Sequence, residues 1–209
     1  MRLYDYAASA NCLKVRLALV LLGLDYERVP VDIFAAREEL AALNPALRTP
    51  VLELEPGEAI AESNAILLYL AEDTELLPGG RLERARVHQW LFFEQNLLEP
   101  NVGTARFWRL TGRDGERPEV FERHLEAGAV ALESLARGLA GKRFLVADRL
   151  TVADLALYAY THVAHEAGLD ATAIADWLTR VRERVGPLND LEPYPQSARA
   201  GWRTQTLVS

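Results

Sequence analysis

One stretch of this 209-residue chain indicates its fold more clearly than any other: Ser9-Ala10-Asn11-Cys12-Leu13-Lys14-Val15-Arg16. It follows a strand-like run, Arg2 to Tyr6, and opens a helix that is almost wholly apolar and ends at Gly23. Side-chain oxygens and free amide N–H groups at such a junction form a cradle for an anion. A thiolate is an anion, so this stretch predicts a site that favours the ionised form of a bound thiol.

The first 77 residues alternate strand and helix patterns. After the first helix come a β-rich run, Tyr26 to Val31, and a predicted helix, Glu38 to Leu43, which Asn44-Pro45 must break. Two further strands flank the turn residues Pro56-Gly57, and a last helix is predicted from Ser63 to Ala71. The order β-α-β-α-β-β-α predicts an N-terminal α/β thioredoxin-like domain over residues 1–77.

The remainder of the chain has a helical pattern. The successive helix breakers Leu77-Pro78-Gly79-Gly80 predict a linker over residues 78–83. Beyond it, apolar residues keep a spacing of about 3.6, which predicts an all-α helical-bundle domain over residues 84–209. Within that domain Thr151-Val152-Ala153-Asp154 predicts a helix start at which the Thr151 and Asp154 side chains cap each other's backbone amides. We interpret this capping box as structural.

Composition excludes several classes of function. The formal net charge of -7 disfavours a nucleic-acid partner and an anionic membrane surface. No apolar run reaches the roughly 18 residues that span a bilayer, and the N-terminus lacks a signal-peptide pattern, so we expect a cytoplasmic protein. The single cysteine, Cys12, excludes an intrachain disulfide and a thiolate-rich metal site. We expect no metal cofactor, because the four histidines show no ligand clustering beyond His162 and His165.

The chain resembles the cytosolic glutathione S-transferase superfamily, in the serine-type bacterial branch that is related to the theta, delta and zeta classes. The resemblance covers nearly the whole length, and its carriers are Ser9 to Arg16, Asn44-Pro45, Thr49-Pro50-Val51-Leu52, Glu62-Ser63-Asn64-Ala65-Ile66, Phe144-Leu145 and Asp148 to Asp154. Each motif is weak alone, but together in this order they are specific. The resemblance implies glutathione as co-substrate and a small, hydrophobic electrophile as second substrate. It also implies a homodimer, formed between the thioredoxin-like half of one subunit and the helical half of the other.

Ser9 is the first candidate for stabilising the glutathione thiolate. The resembled classes carry such a serine seven residues before the position of Arg16. Asn11 is the second candidate, because its amide can donate to the same sulfur. Lowering a thiol pKa by about two units requires roughly 2.7 kcal/mol, which one charge-assisted hydrogen bond and a helix N-terminus together supply. A plain N-cap remains the alternative for both residues, and Cys12 is expected to be a packed residue that is also a candidate for mixed-disulfide chemistry.

Other residues of the motifs are implied to bind the rest of glutathione. Thr49-Pro50 predicts a cis peptide that leaves the Val51 backbone unpaired at a sheet edge, where a cysteinyl unit can pair as an added strand. Glu62 is assigned to the α-amino group of the γ-glutamyl moiety, and Ser63 with nearby amides to its carboxylate. Arg48 is a candidate for the glycyl carboxylate. Capping by Ser63, solvation of Arg48 and an ordinary trans-proline at an edge strand for Thr49-Pro50 stay open as alternatives.

The helical half is expected to supply the electrophile pocket. Arg106-Phe107-Trp108-Arg109 offers aromatic surface and charge, which suits a planar or anionic substrate. The candidates are Arg106, Trp108 and Tyr160, with Trp202 as a further one, and ordinary packing is the alternative for each.

Three functions are consistent with these patterns. A glutathione transferase is favoured. The second is a glutathione-dependent disulfide or peroxide reductase, in which Asn11 or Cys12 takes a larger part. The third is a non-catalytic glutathione-fold binding module.

Overall fold

The computed structural model describes residues 1–35, 38–186, 191–195 and 197–200. Within these the chain forms two compact units, one built on Met1–Leu70 with the described residues beyond 190, the other on the described residues from Ala71 to Gly186. Trp202, a candidate from the sequence, lies outside the described residues.

The first unit has the predicted thioredoxin-like fold. Its sheet has the order β2-β1-β3-β4, with β1 parallel to β2 and β3 antiparallel to both of its neighbours. A parallel pair needs a crossover connection, and the first helix supplies it between β1 and β2. The elements are β1 Arg2–Asp5, α1 Ala10–Leu21, β2 Glu27–Pro30, β3 Val51–Glu55, β4 Glu58–Ala61 and α2 Ser63–Ala71.

Two glycines end elements where the sequence predicts it. Gly23 follows α1 with φ +63, and Gly57 closes the β3–β4 hairpin with φ +82. Glycine adopts these left-handed conformations without a steric penalty, because it has no Cβ. The predicted bounds of α2 and the predicted Pro56-Gly57 hairpin are both confirmed.

The predicted helix over Glu38 to Leu43 is wrong in extent. The structure has a single 3₁₀ turn, Glu38–Leu40, followed by a loop that the Asn44 side chain organises. Asn44 is buried; its Nδ2 donates to the Arg48 carbonyl at 2.9 Å, and its Oδ1 accepts from the Ala46 N–H at 3.0 Å. Such side-chain bonds to the local backbone compete with helix formation, and the six predicted residues are too few to form a helix alone.

The second unit is helical, as predicted. A π-helical stretch, Glu94–Gly103, joins α3 to α4 and contains Pro100, which has no N–H to donate. None of the helices in the described part of the chain is long and apolar enough to cross a membrane. The helices are α3 Arg81–Phe93, α4 Thr104–Thr111, α5 Pro118–Leu139, α6 Val152–Thr161 and α7 Ala175–Val185, and a short α8, Ser197–Ala200, belongs to the first unit.

The predicted capping box at the start of α6 is confirmed and extends further than predicted. The fully buried Asp154 accepts from the backbone N–H and the hydroxyl of Thr151, both at 2.9 Å. It also accepts from the Leu145 N–H and from Trp177 Nε1–H, both at 3.0 Å. The carboxylate therefore ties α6 to α7 and to the segment before α6, which is a structural role.

Candidate functional site

Ser9 caps α1 and presents a hydroxyl at the helix N-terminus. Its backbone is extended, with φ -85 and ψ 122, and its Oγ accepts from the Cys12 N–H at 3.3 Å. The side chain is half-buried. A hydroxyl has two acceptor lone pairs and one O–H donor, so the cap uses a lone pair and not the O–H. The capping role and the thiolate-stabilising role are therefore compatible.

Cys12 lies beneath this N-terminus and is fully buried. Burial, together with the nearby Asp5 carboxylate, raises the pKa of the Cys12 thiol to about 11. Hydrogen bonds from the Tyr6 N–H and from the Ser9 and Thr49 side chains act in the opposite direction without offsetting burial. Cys12 is therefore protonated at neutral pH, and its complete burial makes it a packing residue, as expected.

The cis-proline turn lies beside the N-terminus of α1. The Thr49-Pro50 peptide is cis, as predicted, and the Thr49 side chain reaches the Cys12 thiol. The prediction that Val51 is unpaired at a sheet edge is wrong, because β3 is an inner strand: Val51 lies opposite Tyr4 of β1 and Ala61 of β4. The backbone that lies outside the sheet ladder is that of Thr49-Pro50, just before β3.

Glu62 and Ser63 form the start of α2. Glu62 has φ +69, its carbonyl accepts from the Ile66 N–H at 3.0 Å, and its side chain is exposed. For a residue with a Cβ this left-handed conformation costs about 1 kcal/mol or more, and such strain clusters at binding sites. The strained residue is thus one that the sequence places at the γ-glutamyl end of a ligand.

Ser63 is buried and connects α2 to α1. Its hydroxyl donates to Asn11 Oδ1 at 2.9 Å. Because that hydrogen is directed at Asn11, the Ser63 O–H is not a free donor at this terminus, and the first-turn N–H groups of α2 are the groups there that suit an anion. The Asn11 side chain is half-buried, and its NH₂ group is its hydrogen-bond donor.

The first unit therefore brings Ser9, Asn11, Thr49 and Ser63 into one region. Arg48 adjoins it through Thr49, but its side chain is exposed and only its carbonyl has a described bond, from Asn44. Within the described residues no group of three His, Cys, Asp or Glu side chains is arranged to hold a metal ion.

The three candidates for the electrophile pocket pack against different partners within the helical unit. Arg106, 4% exposed, is ion-paired with Glu166. Trp108 lies two residues further, on another side of α4, with its ring edge-on to His124 at a centroid distance of 5.8 Å. Tyr160, 5% exposed, lies against Gly103, where an added Cβ would come within 2.7 Å of its ring. Arg106 and Tyr160 thus have the burial that the packing alternative predicts.

Sequence reasoning missed two residues near the site. The sequence marks Asn44-Pro45 as a helix breaker and a family motif, but it does not show that the Asn44 side chain shapes the loop that leads to the cis-proline. Lys14 is completely buried and donates to Asn64 Oδ1 at 3.1 Å. The available signal was a lysine inside an apolar helical run, Leu13-Lys14-Val15.

Comparison with known proteins assigns both halves of the chain. A model described as glutathione S-transferase, N-terminal domain, matches residues 3–78, and one described as glutathione S-transferase, C-terminal domain, matches residues 98–186. A maleylacetoacetate isomerase of Rhizobium meliloti (strain 1021) is 36% identical over 182 residues, which are 82% of this chain and 84% of that protein. A zeta-class glutathione S-transferase of Euphorbia esula is 33% identical over 172 residues, 78% of this chain and 76% of that protein.

A solved structure agrees with this assignment. A possible glutathione S-transferase from Rhodopseudomonas palustris is 42% identical, with a TM-score of 0.84 over 90% of this chain and 97% of that chain. Sequence and fold therefore point to the same family over both halves, and the chain belongs to the glutathione S-transferase superfamily, with zeta-class and bacterial relatives.

Proposed function

We propose that this chain is a glutathione transferase that holds the glutathione thiol as a thiolate and adds it to a small electrophilic carbon. Membership of the family supports glutathione-dependent catalysis. The observation that carries the finer proposal is the half-buried hydroxyl of Ser9 at the N-terminus of α1, whose oxygen caps the Cys12 N–H. Its O–H also reaches the Cys12 thiol, and because a hydroxyl rotates, it can donate instead to the sulfur of a bound ligand.

Ser9 is the thiolate-stabilising residue in this proposal. A charge-assisted hydrogen bond contributes about 1.5 to 3 kcal/mol, and the α1 N-terminus adds about 0.3 to 1 kcal/mol. Their sum lowers the pKa of a bound thiol by roughly two units, which makes most of it thiolate at neutral pH. Asn11 is assigned a supporting part: the Ser63 hydroxyl holds its amide oxygen, and its NH₂ group is the second donor proposed for the same sulfur.

The remaining contacts of glutathione follow from the first unit. The pairing partner proposed for the cysteinyl unit is Thr49, because its backbone lies outside the sheet ladder. Val51 holds the Thr49 backbone in place, since Val51 is itself paired with β1 and with β4. The first-turn amides of α2 receive the γ-glutamyl carboxylate, and the exposed Glu62 receives the α-ammonium group. Arg48 is the candidate for the glycyl carboxylate.

A second candidate reaction is glutathione-dependent isomerisation. It is favoured by the name of the Rhizobium meliloti relative, a maleylacetoacetate isomerase. In such a reaction the thiolate adds to a conjugated double bond, the former double bond rotates, and the C–S bond then breaks to return the thiolate. The same Ser9 chemistry serves both reactions. Reduction through Cys12 is not favoured, because its thiol is buried and protonated.

We propose that the helical half binds the electrophile and that the chain forms a homodimer. Arg106, Trp108 and Tyr160 remain the candidates of the helical half for binding the electrophile. A homodimer is supported by two large apolar side chains on α3, because Leu82 is 63% exposed and Phe92 is 67% exposed. Covering such residues with a second copy of the chain removes apolar surface from water.

The test is retention on immobilised glutathione, followed by a substrate panel. The panel contains an aryl halide, an isothiocyanate, a cis conjugated keto acid and a mixed disulfide. Turnover of either of the first two supports the transferase, and cis-to-trans conversion without consumption of glutathione supports the isomerase. Disulfide reduction alone favours the reductase, and binding without turnover favours a non-catalytic module. Failure to bind glutathione at millimolar concentration contradicts every enzymatic alternative.

A further inference from the structure

A buried lysine lies at the junction of α1 and α2. Lys14 is 0% exposed, and its Nζ donates to Asn64 Oδ1 at 3.1 Å. Removing an ammonium group from water carries a large desolvation cost, and lysine is almost never fully buried in folded proteins. The capping and packing of α1 do not require a charge at this position.

Two hydrogen bonds place this lysine at the start of α2. Asn11 and Lys14 are three residues apart and therefore share one face of α1. Asn11 Oδ1 accepts from the Ser63 hydroxyl, and the Lys14 ammonium donates to the amide oxygen of the next residue, Asn64. The ammonium thus lies beside the first turn of α2, whose N–H groups are the proposed receivers of a carboxylate.

The charge of Lys14 acts in the same direction as those N–H groups. A helix N-terminus carries a partial positive charge, and a buried ammonium adds a full one. Water and salt screen a buried charge far less than an exposed one, so an anion at the α2 N-terminus interacts with Lys14 without direct contact.

We infer that Lys14 is a positioning residue for glutathione: its buried ammonium group increases the affinity of the α2 N-terminus for the α-carboxylate of the γ-glutamyl moiety. The inference rests on the proposed function. It assigns a role to the charge, not to the volume or the hydrogen bond of the side chain. The affinity for ligands that lack this carboxylate is therefore expected not to depend on the charge of Lys14.

The experiment compares two ligands by titration calorimetry. One is glutathione, and the other is the analogue in which hydrogen replaces the γ-glutamyl α-carboxylate. Lys14→Met, which keeps an apolar chain of similar length, is expected to weaken glutathione binding at least tenfold and to change analogue binding less than twofold. Lys14→Arg, which retains the charge, is expected to restore glutathione affinity to within about threefold. The control is Lys142→Met, which makes the same charge change at an exposed lysine of the helical unit and is expected to change neither affinity.

The outcomes separate the inference from the function on which it rests. Equal losses for both ligands in Lys14→Met, or no loss for glutathione, overturn the role of the charge. Lys14→Gln keeps a donor for Asn64 without the charge, and it provides the same comparison if the Met variant does not fold. Absence of glutathione binding by the unmodified chain overturns the proposed function, and the inference with it.

Discussion

Substituting Glu62 by glycine is expected to relieve strain in the backbone, which favours stability, while it removes a proposed contact with glutathione, which lowers the affinity. Glu62 has φ +69 at the start of α2, and its exposed carboxylate meets no cation among the described residues. Two variants separate backbone from side chain. Glu62→Ala removes the carboxylate and keeps a Cβ in the left-handed conformation, whereas Glu62→Gly removes both.

The magnitudes follow from these two changes. A left-handed conformation costs an L-residue about 1 to 2 kcal/mol, and the extra freedom of glycine in the unfolded chain offsets about 0.4 to 1 kcal/mol of the gain. Glu62→Gly is therefore expected to unfold with a free energy about 0.5 to 1 kcal/mol higher than that of Glu62→Ala. Both variants lose the proposed partner of the ligand ammonium, and both are expected to bind glutathione roughly tenfold or more weakly.

Urea unfolding at constant m-value and titration calorimetry with glutathione measure the two effects. The control is Glu58→Ala, which removes an exposed carboxylate at the start of β4 and is expected to leave the affinity for glutathione unchanged. If Glu62→Gly is less stable than Glu62→Ala, the strain argument is wrong. If both Glu62 variants bind glutathione like the unmodified chain, the assignment of Glu62 to the ammonium group is wrong.

Two further residues give predictions that concern the fold. Cys12 is expected to resist alkylation by iodoacetamide at pH 8 in the folded protein and to react in urea, because it is fully buried with a thiol pKa of about 11. Labelling of Cys12 in the folded protein within minutes would contradict this expectation. Since that pKa lies above its unfolded value, the contribution of Cys12 to stability is present below about pH 9 and is lost as the pH rises towards 11, by roughly 2 to 3 kcal/mol. Cys12→Ala should remove this part of the pH dependence in urea titrations. Asp154→Ala is expected to lower the unfolding free energy by about 3 kcal/mol or more, because it leaves the buried donors of Thr151, Leu145 and Trp177 without their acceptor. The control is Asp148→Ala, which removes an exposed carboxylate. Equal losses of stability in the two variants would refute the argument.

Local signals in the sequence predicted the helix end and the turns of the first unit. Gly23 and the Pro56-Gly57 turn each depend on the conformational limits of one or two residues, so sequence alone suffices. The cis Thr49-Pro50 peptide was predicted only within the family motif, because most X-Pro bonds in folded proteins are trans. The Thr151–Asp154 box is local in the same sense, but its bond to Trp177 joins residues 23 positions apart. That bond was not predictable, because it depends on how α6 and α7 pack.

The errors arose where long-range pairing decides the outcome. Periodicity shows that Val51 begins a strand, but only the sheet order shows that β4 covers the side expected to be open. The same limit applies to Asn11, whose bond to Ser63 spans 52 positions, and to Lys14, whose polar partner lies on another helix. Helical spacing likewise gave no means of deciding which neighbours Arg106 and Trp108 would meet.

The pKa of the glutathione thiol in the binary complex tests the central claim most directly. The ultraviolet absorbance of the thiolate, followed against pH, gives this pKa for the unmodified chain and for Ser9→Ala. Asn11→Ala serves as the comparison for the other candidate donor. The account predicts a pKa roughly two units below that of free glutathione in the unmodified chain, a rise of at least one unit in Ser9→Ala, and a smaller rise in Asn11→Ala. A pKa that stays low in Ser9→Ala, in a protein that still binds glutathione, would contradict the assignment of Ser9.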